Sequence, residues 1–347
     1  MKHGRVVKSE SFRPADFILF ACLTLAVFVV CVGAGSVSLP PGITAEVFWD
    51  ALTGQPQPEG MAASIILSSR LPRVICAALV GASLSIGGGA MQGLLKNPLA
   101  DGTTLGVSSG ASLGAILAMT FGITVPGLPF AGTMVMAMLF AFLSLIIILS
   151  LAYRLDYSLS TNTIILLGVI YSMFAASINA LLVSFAGERV KDITFWLMGS
   201  LAGSGYINAA ALAVMALVCC GVLLGCSREL NAFAVGEDNA RHVGVDVRRI
   251  KLIVLISVAA LIGVCVSVSG TIGFVGLVTP HMVRMIVGPN HKRLLPATLF
   301  GGACFLMLTD LVSRTILSPR ELPIGVITSL IGAVLFLAIF FRMRKGR

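Results

Sequence analysis

Ten apolar stretches constrain this chain more than any other feature: residues 17–37, 70–95, 103–121, 131–152, 162–183, 207–226, 251–269, 276–288, 296–312 and 323–341. An α-helix needs about 20 such residues to cross roughly 30 Å of hydrocarbon. The repeated runs therefore predict one polytopic all-α membrane domain over residues 1–347, rather than the two soluble domains its length would imply. Composition agrees, with 57% hydrophobic and 11% charged residues, where a soluble domain carries roughly 25% charged. Residues 38–69, broken by Pro40, Pro41, Pro56 and Pro58, read as a polar loop that does not span. A signal peptide at the first run is opposed by the poor cleavage site Gly33-Ala34-Gly35 and by the many spans that follow.

The stretch 276–288 is short and carries Pro280, His281 and Arg284, and counting cations decides whether it crosses. If it does, both termini share one side with 17 of the 24 Lys and Arg, six lie opposite, and Arg284 is within the span. If it does not, the split is 13 against 10. The orientation rule favours the crossing, with residues 1–16 and both termini in the cytoplasm. The net charge of +9 thus belongs to membrane topology, and no basic stripe interleaved with aromatics points to nucleic acid. Arg70, Arg73, Arg189, Lys191, Arg314 and Arg320 depart from the bias. Arg70 and Arg73 are three apart at an expected helix start, with Pro72 in its first turn, and are expected on one face. These outer cations fit either an acidic external partner or headgroup anchoring by snorkelling side chains.

Gly81, Gly87, Gly88, Gly89, Gly93, Gly106, Gly110 and Gly114 let the second and third spans pack closely in lipid. Gly270, Gly273 and Gly276 mark a break between the seventh and eighth. The eight cysteines lie in or beside apolar runs without a C-x-x-C pair and read as small packing residues.

Residues 227–251 form the one long polar stretch. Gly236 breaks the chain; Glu237 and Asp238 then open a short helix and Arg241 and His242 close it, the order the helix macrodipole favours. Gly244 sits at the C-terminal cap with Val245 beyond it, and Asp246 with Arg249 caps the next apolar helix. The pattern predicts two short helices and a sharp bend, serving either as a solvated return loop or as a contact for a partner.

Catalytic chemistry is missing. No Lys is preceded by Gly and followed by Ser or Thr, so there is no phosphate-binding Walker A loop and the chain is not its own ATPase. H-E-x-x-H is absent, and His3, His242, His281 and His291 show no metal-ligand spacing, so no catalytic residue, bound cofactor or metal is expected. His281, beside Pro280, reads as a hydrogen-bonded packing residue. Asp310 and Arg314, four apart, read as a helical salt bridge, which leaves little for ion or proton coupling. A stand-alone secondary transporter or channel for a small solute is one reading of such a chain.

RLPR at 70–73, MQGLLKNPLADGTTLGVSSGASLGA at 91–115, FWLMGSL at 195–201, GEDNARHVGV at 236–245, GTIGFVGLVTPHMVRMIVGPNHKRLLP at 270–296 and ELPIGVIT at 321–328 carry a resemblance. In order, and over about residues 17–342, they resemble the FecCD or BtuC-like permease subunits of ABC importers for ferric siderophores, haem and vitamin B12. One departure is Gly332-Ala333-Val334-Leu335, where many members carry Gly-Ala-Pro and an aromatic. The resemblance implies the ten-span BtuC-like (type II) importer fold in a bacterial inner membrane. It implies pairing with a second permease, read as an identical copy in a homodimer, around a central pathway. It also implies two cytoplasmic ABC ATPase subunits that use ATP and Mg, and a periplasmic or lipid-anchored substrate-binding protein. On this basis the helices of 227–250 couple to the ATPase through Glu237, Asp238, Arg241 and His242, with Gly244 setting the bend. Arg70, Arg73 and Arg314 stand at the positions that dock the binding protein. Asn97, Leu99, Thr161 and Asn162 stand at the cytoplasmic gate, where Asn97 and Thr161 can equally be helix caps. The expected cargo is a ferric siderophore or haem ahead of cobalamin, with specificity residing in the binding protein.

Overall fold

Each long apolar run folds as a helix because lipid offers the backbone no hydrogen-bond partner other than itself. The computed structural model describes residues 12–55, 61–125, 131–157 and 159–345. They form α1 (Pro14–Gly33), α2 (Pro41–Thr53), α3 (Met61–Leu94), α4 (Val107–Phe121), α5 (Ala131–Leu155), α6 (Thr161–Phe185) and α7 (Val190–Leu197). The second half of the chain adds α8 (Tyr206–Gly225), α9 (Ser227–Val235), α10 (Glu237–His242), α11 (Val247–Ser269), α12 (Val275–Val287), α13 (His291–Thr315) and α14 (Ile324–Lys345). Seven of these are long and apolar enough to cross a membrane, and the shorter apolar α4, α12 and α14 complete one helix for each predicted span. Lys2, Arg5 and Lys8 and the segment of Pro56 and Pro58 lie outside the described residues.

Two local expectations change. Part of 38–69 is helical: Pro41 starts α2, where a missing N–H costs nothing, and Met61 already begins α3. Pro72 therefore lies inside a continuous helix rather than in its first turn. The chain accommodates it with a π-helical stretch, Ser64–Arg70, in which the Leu71 N–H reaches back to Ile66 O. In that register the bond Pro72 cannot donate would end on Leu67 O, and the Tyr206 hydroxyl donates to that carbonyl instead, at 2.5 Å.

The apolar windows of α3 and α11 are 72% and 78% buried, against 11% for α1 and 17% for α6, which makes the first pair central and the second peripheral. α3 packs most extensively on α13, and also on α11, α12 and α8. Glycine sets two of these crossings. A Cβ on Gly81 would collide with the Gly302 carbonyl of α13, and one on Gly88 with the Gly276 carbonyl of α12, as close packing in lipid requires. Gly302→Val is expected to force α3 and α13 apart at a cost of at least the ~1–3 kcal/mol of overpacking. Thermal unfolding of the detergent-solubilised protein checks this, and an unchanged Tm would show that the crossing yields. The departure at 332–335 is absorbed locally, since Gly332 backs onto the Phe274 ring while Val334 is exposed.

Candidate functional site

At one end of the bundle α9 and α10 meet at Gly236, whose φ of +143° opens the bend. α10 closes in a Schellman turn: the Val245 N–H reaches Ala240 O and the Gly244 N–H reaches Arg241 O, both at 3.0 Å, with Gly244 at φ +86°. Asp246 Oδ1 then accepts from the Arg249 N–H at 3.0 Å and starts α11. The helix pair is seated on the bundle and does not swing free of it. Phe233 and Ala240 are fully buried. Asn231 donates to Asn290 Oδ1 and accepts from the His291 N–H, each at 2.8 Å, tying α9 to the start of α13.

The residues expected on this surface divide into two groups. Asp238, Arg241 and His242 are exposed, Asp238 and Arg241 pairing loosely at 3.8 Å within the helix. Glu237 turns inward, where its Oε2 accepts from Lys251 Nζ at 2.9 Å and its Oε1 from Thr161 Oγ1 at 3.4 Å. Sequence reasoning missed Lys251, which is fully buried in the first turns of α11 and donates also to Leu159 O at 2.8 Å. Its one signal is a lysine placed where the apolar run begins.

Of the expected gate residues, Thr161 and Asn162 open α6. The cap is Ser160 rather than Thr161, its Oγ accepting from the Thr163 N–H at 3.4 Å. Asn97 folds onto its own turn, Oδ1 accepting from the Leu99 N–H at 2.9 Å, and Leu99 and Asn162 are exposed. Thr161 is thus joined to α10, and among the described residues no hydrogen bond joins it to Asn97 or Leu99.

At the opposite end Arg70, Arg73 and Arg314 come together, all three buried. Arg70 donates to Gly33 O at 2.8 Å, to Val32 O at 3.3 Å and to Val37 O. Arg314 donates to Cys31 O at 3.0 Å and Ala34 O at 3.4 Å. Both therefore close the carbonyl end of α1, which has unpaired acceptors and the negative pole of the helix. Arg73 binds Asp310 Oδ1 at 3.0 Å and Glu321 Oε2 at 2.7 Å, and Arg314 Nε lies 2.9 Å from Asp310 Oδ2. Arg70 and Arg73, three apart, reach different elements: Arg70 the end of α1, and Arg73 the carboxylates of Asp310 and Glu321. Glu321 and Arg320 are exposed beside them.

An open cleft of about 490 Å³ is lined by Ser108, Met198, Thr271, Gly325, Ser329 and Leu330 among others, with hydroxyl and apolar groups and no charged side chain. Such a wall offers a solute no ionic partner. Among the described residues no three His, Cys, Asp or Glu side chains converge as metal ligands.

The FecCD transport family pattern matches residues 23–342. The chain is 35% identical over 333 residues to the molybdate import system permease protein MolB of Haemophilus influenzae, covering 95% of this chain and 96% of that one. It is 38% identical over 288 residues to the hemin transport system permease protein HmuU of Yersinia pestis, covering 82% and 85%. Among solved structures, a metal-chelate type ABC transporter in an inward-facing conformation superposes with a TM-score of 0.83 at 33% identity, covering 95% of this chain and 100% of that one.

Proposed function

We infer, from the premise that this chain belongs to the FecCD transport family, that its cargo is a metal chelate, a ferric siderophore or haem ahead of cobalamin. The chain is a multi-pass membrane protein and the permease subunit of an ABC importer. It carries no Walker A loop, so ATP hydrolysis belongs to separate subunits, two ATPases using Mg, which dock on α9 and α10. The observation that carries this reading is the seated helix pair, with its inner face fastened to the bundle and Asp238, Arg241 and His242 presented outward. The excess of Lys and Arg supports a topology with that end, and both termini, in the cytoplasm of a bacterial inner membrane. A second, identical permease closes the pathway against the uncharged cleft, and Asn97, Leu99, Thr161 and Asn162 gate its cytoplasmic end. The buried charges favour this over a lone ion-coupled carrier, because Asp310 and Glu321 balance Arg73 and Arg314 and none of the four lines the cleft.

A periplasmic or lipid-anchored binding protein docks at the opposite end. Arg70 and Arg314, committed to α1, shape that rim, whereas Arg73 can exchange the exposed Glu321 for a carboxylate of the binding protein. Glu321→Gln is then expected to tighten docking and to steepen its loss with salt, since electrostatic complementarity governs such encounters. A Kd unchanged at low and high salt would remove Arg73 from the interface.

The cargo is tested by capturing partners of the tagged permease from native membranes with periplasmic or surface extract, then recording the visible spectrum of the recovered binding protein. A Soret band identifies haem, a corrinoid spectrum cobalamin, and a broad charge-transfer band a ferric siderophore. A colourless protein containing molybdenum would overturn the chelate reading in favour of an oxyanion.

A further inference from the structure

Lysine is almost never fully buried unless paired, and an ammonium withdrawn from water needs its donors satisfied. Lys251 is 0% exposed and meets two acceptors belonging to different parts of the chain, Leu159 O at 2.8 Å and Glu237 Oε2 at 2.9 Å. Leu159 is itself 2% exposed and holds φ at +52°, a left-handed conformation that a branched side chain rarely adopts, and its carbonyl accepts from the lysine in that conformation. The turn around it is braced: the Leu159 N–H reaches Asp156 O at 2.9 Å, and the Ser160 N–H reaches Asp156 Oδ2 at 3.2 Å. Glu237 grips the same turn a second time through Thr161. Charge-assisted bonds on a fully buried ammonium, which are strong and directional, thus join α10 to the α5–α6 turn.

We propose that Lys251 is a positioning residue that transmits movement of α10 to the turn of Leu159 and Thr161, so that ATPase engagement and the state of that turn are coupled chiefly through one buried ammonium, with the longer Thr161–Glu237 bond as a weaker second link. The proposal rests on the assignment of α9 and α10 to the ATPase and of Thr161 and Asn162 to the gate. An apolar residue in its place would fill the space and leave α10 seated by Ala240, yet would transmit nothing to Leu159.

The test is hydrogen–deuterium exchange on the assembled permease–ATPase complex in nanodiscs, nucleotide-free and with Mg-ATP and vanadate. In the wild-type complex, nucleotide is expected to change exchange in peptides covering both 236–245 and 156–163. In Lys251→Met the response of 236–245 should persist while that of 156–163 falls by more than half, and Lys251→Arg, which keeps the charge and donors, should restore it. A retained response of 156–163 in Lys251→Met would overturn the proposal. A wild-type complex in which only 236–245 responds would also overturn it while leaving the coupling assignment standing; silence in 236–245 would remove both. If Lys251→Met does not assemble, Glu237→Gln, which keeps an oxygen for Thr161 but neutralises the link, is read in the same way: loss at 156–163 supports the strut and a retained response sinks it.

Discussion

Asp310→Asn is expected to destabilise the permease by about 3–5 kcal/mol, the cost of leaving buried charge uncompensated. Asp310 is wholly buried and places one carboxylate oxygen on Arg73 and the other on Arg314. Asparagine keeps the shape but presents an amide donor to one of two guanidiniums, which then face each other without an anion between them. Arg73 retains Glu321 and Arg314 retains the carbonyls of Cys31 and Ala34, so the loss falls on the link between α3 and α13 rather than on α1. Thermal unfolding in detergent measures it, and the double variant Asp310→Asn with Arg314→Met should recover part of the loss because it removes one charge of each sign. A fall in Tm no larger than that of an exposed substitution would mean that water reaches the site.

The second large effect concerns assembly. Replacing Asp238, Arg241 and His242 together with alanine should lower the affinity for the ATPase at least about tenfold, equivalent to ~1.4 kcal/mol, while leaving the permease as stable as wild type. All three are exposed and none holds α10 in place; that task falls to Ala240 and Glu237. Quantifying co-purified ATPase against permease Tm separates the two roles. Wild-type recovery of ATPase would place the contact elsewhere on this end, and a coincident fall in Tm would show that the residues serve the fold.

What was legible in the chain is what is local. The spans follow from runs of apolar residues, and the bend at Gly236, the turn at Gly244 and the cap at Asp246 follow from residues within a few positions of their partners. The outer arginines were recognisable as unusual, but their partners were not. Arg70 closes a helix end that finishes 37 residues earlier, at Gly33, and Arg73 meets Asp310 across 237 positions. No periodicity records such pairings. Lys251 was hidden for a related reason, since a lysine at the edge of an apolar run looks like an interfacial cation until the packing above it is known. Proline ordinarily marks a helix start, whereas here a π stretch precedes Pro72 and the Leu67 carbonyl finds its donor in Tyr206, far along the chain.

The glycine crossings carry a mechanical consequence. α3 touches α13 at Gly81 and α12 at Gly88 backbone to backbone, and α4 meets α5 in the same manner where Gly114 faces the Met136 carbonyl. Backbone contact at these points leaves little room for repacking, and each set is expected to move as one block. α11 packs on both α3 and α5 and so forms the seam between the blocks, with Lys251 at its lower end. Opening and closing of such a body is expected as a small rotation of one block against the other along that seam, a motion that strains the fewest bonds and needs no helix to unwind.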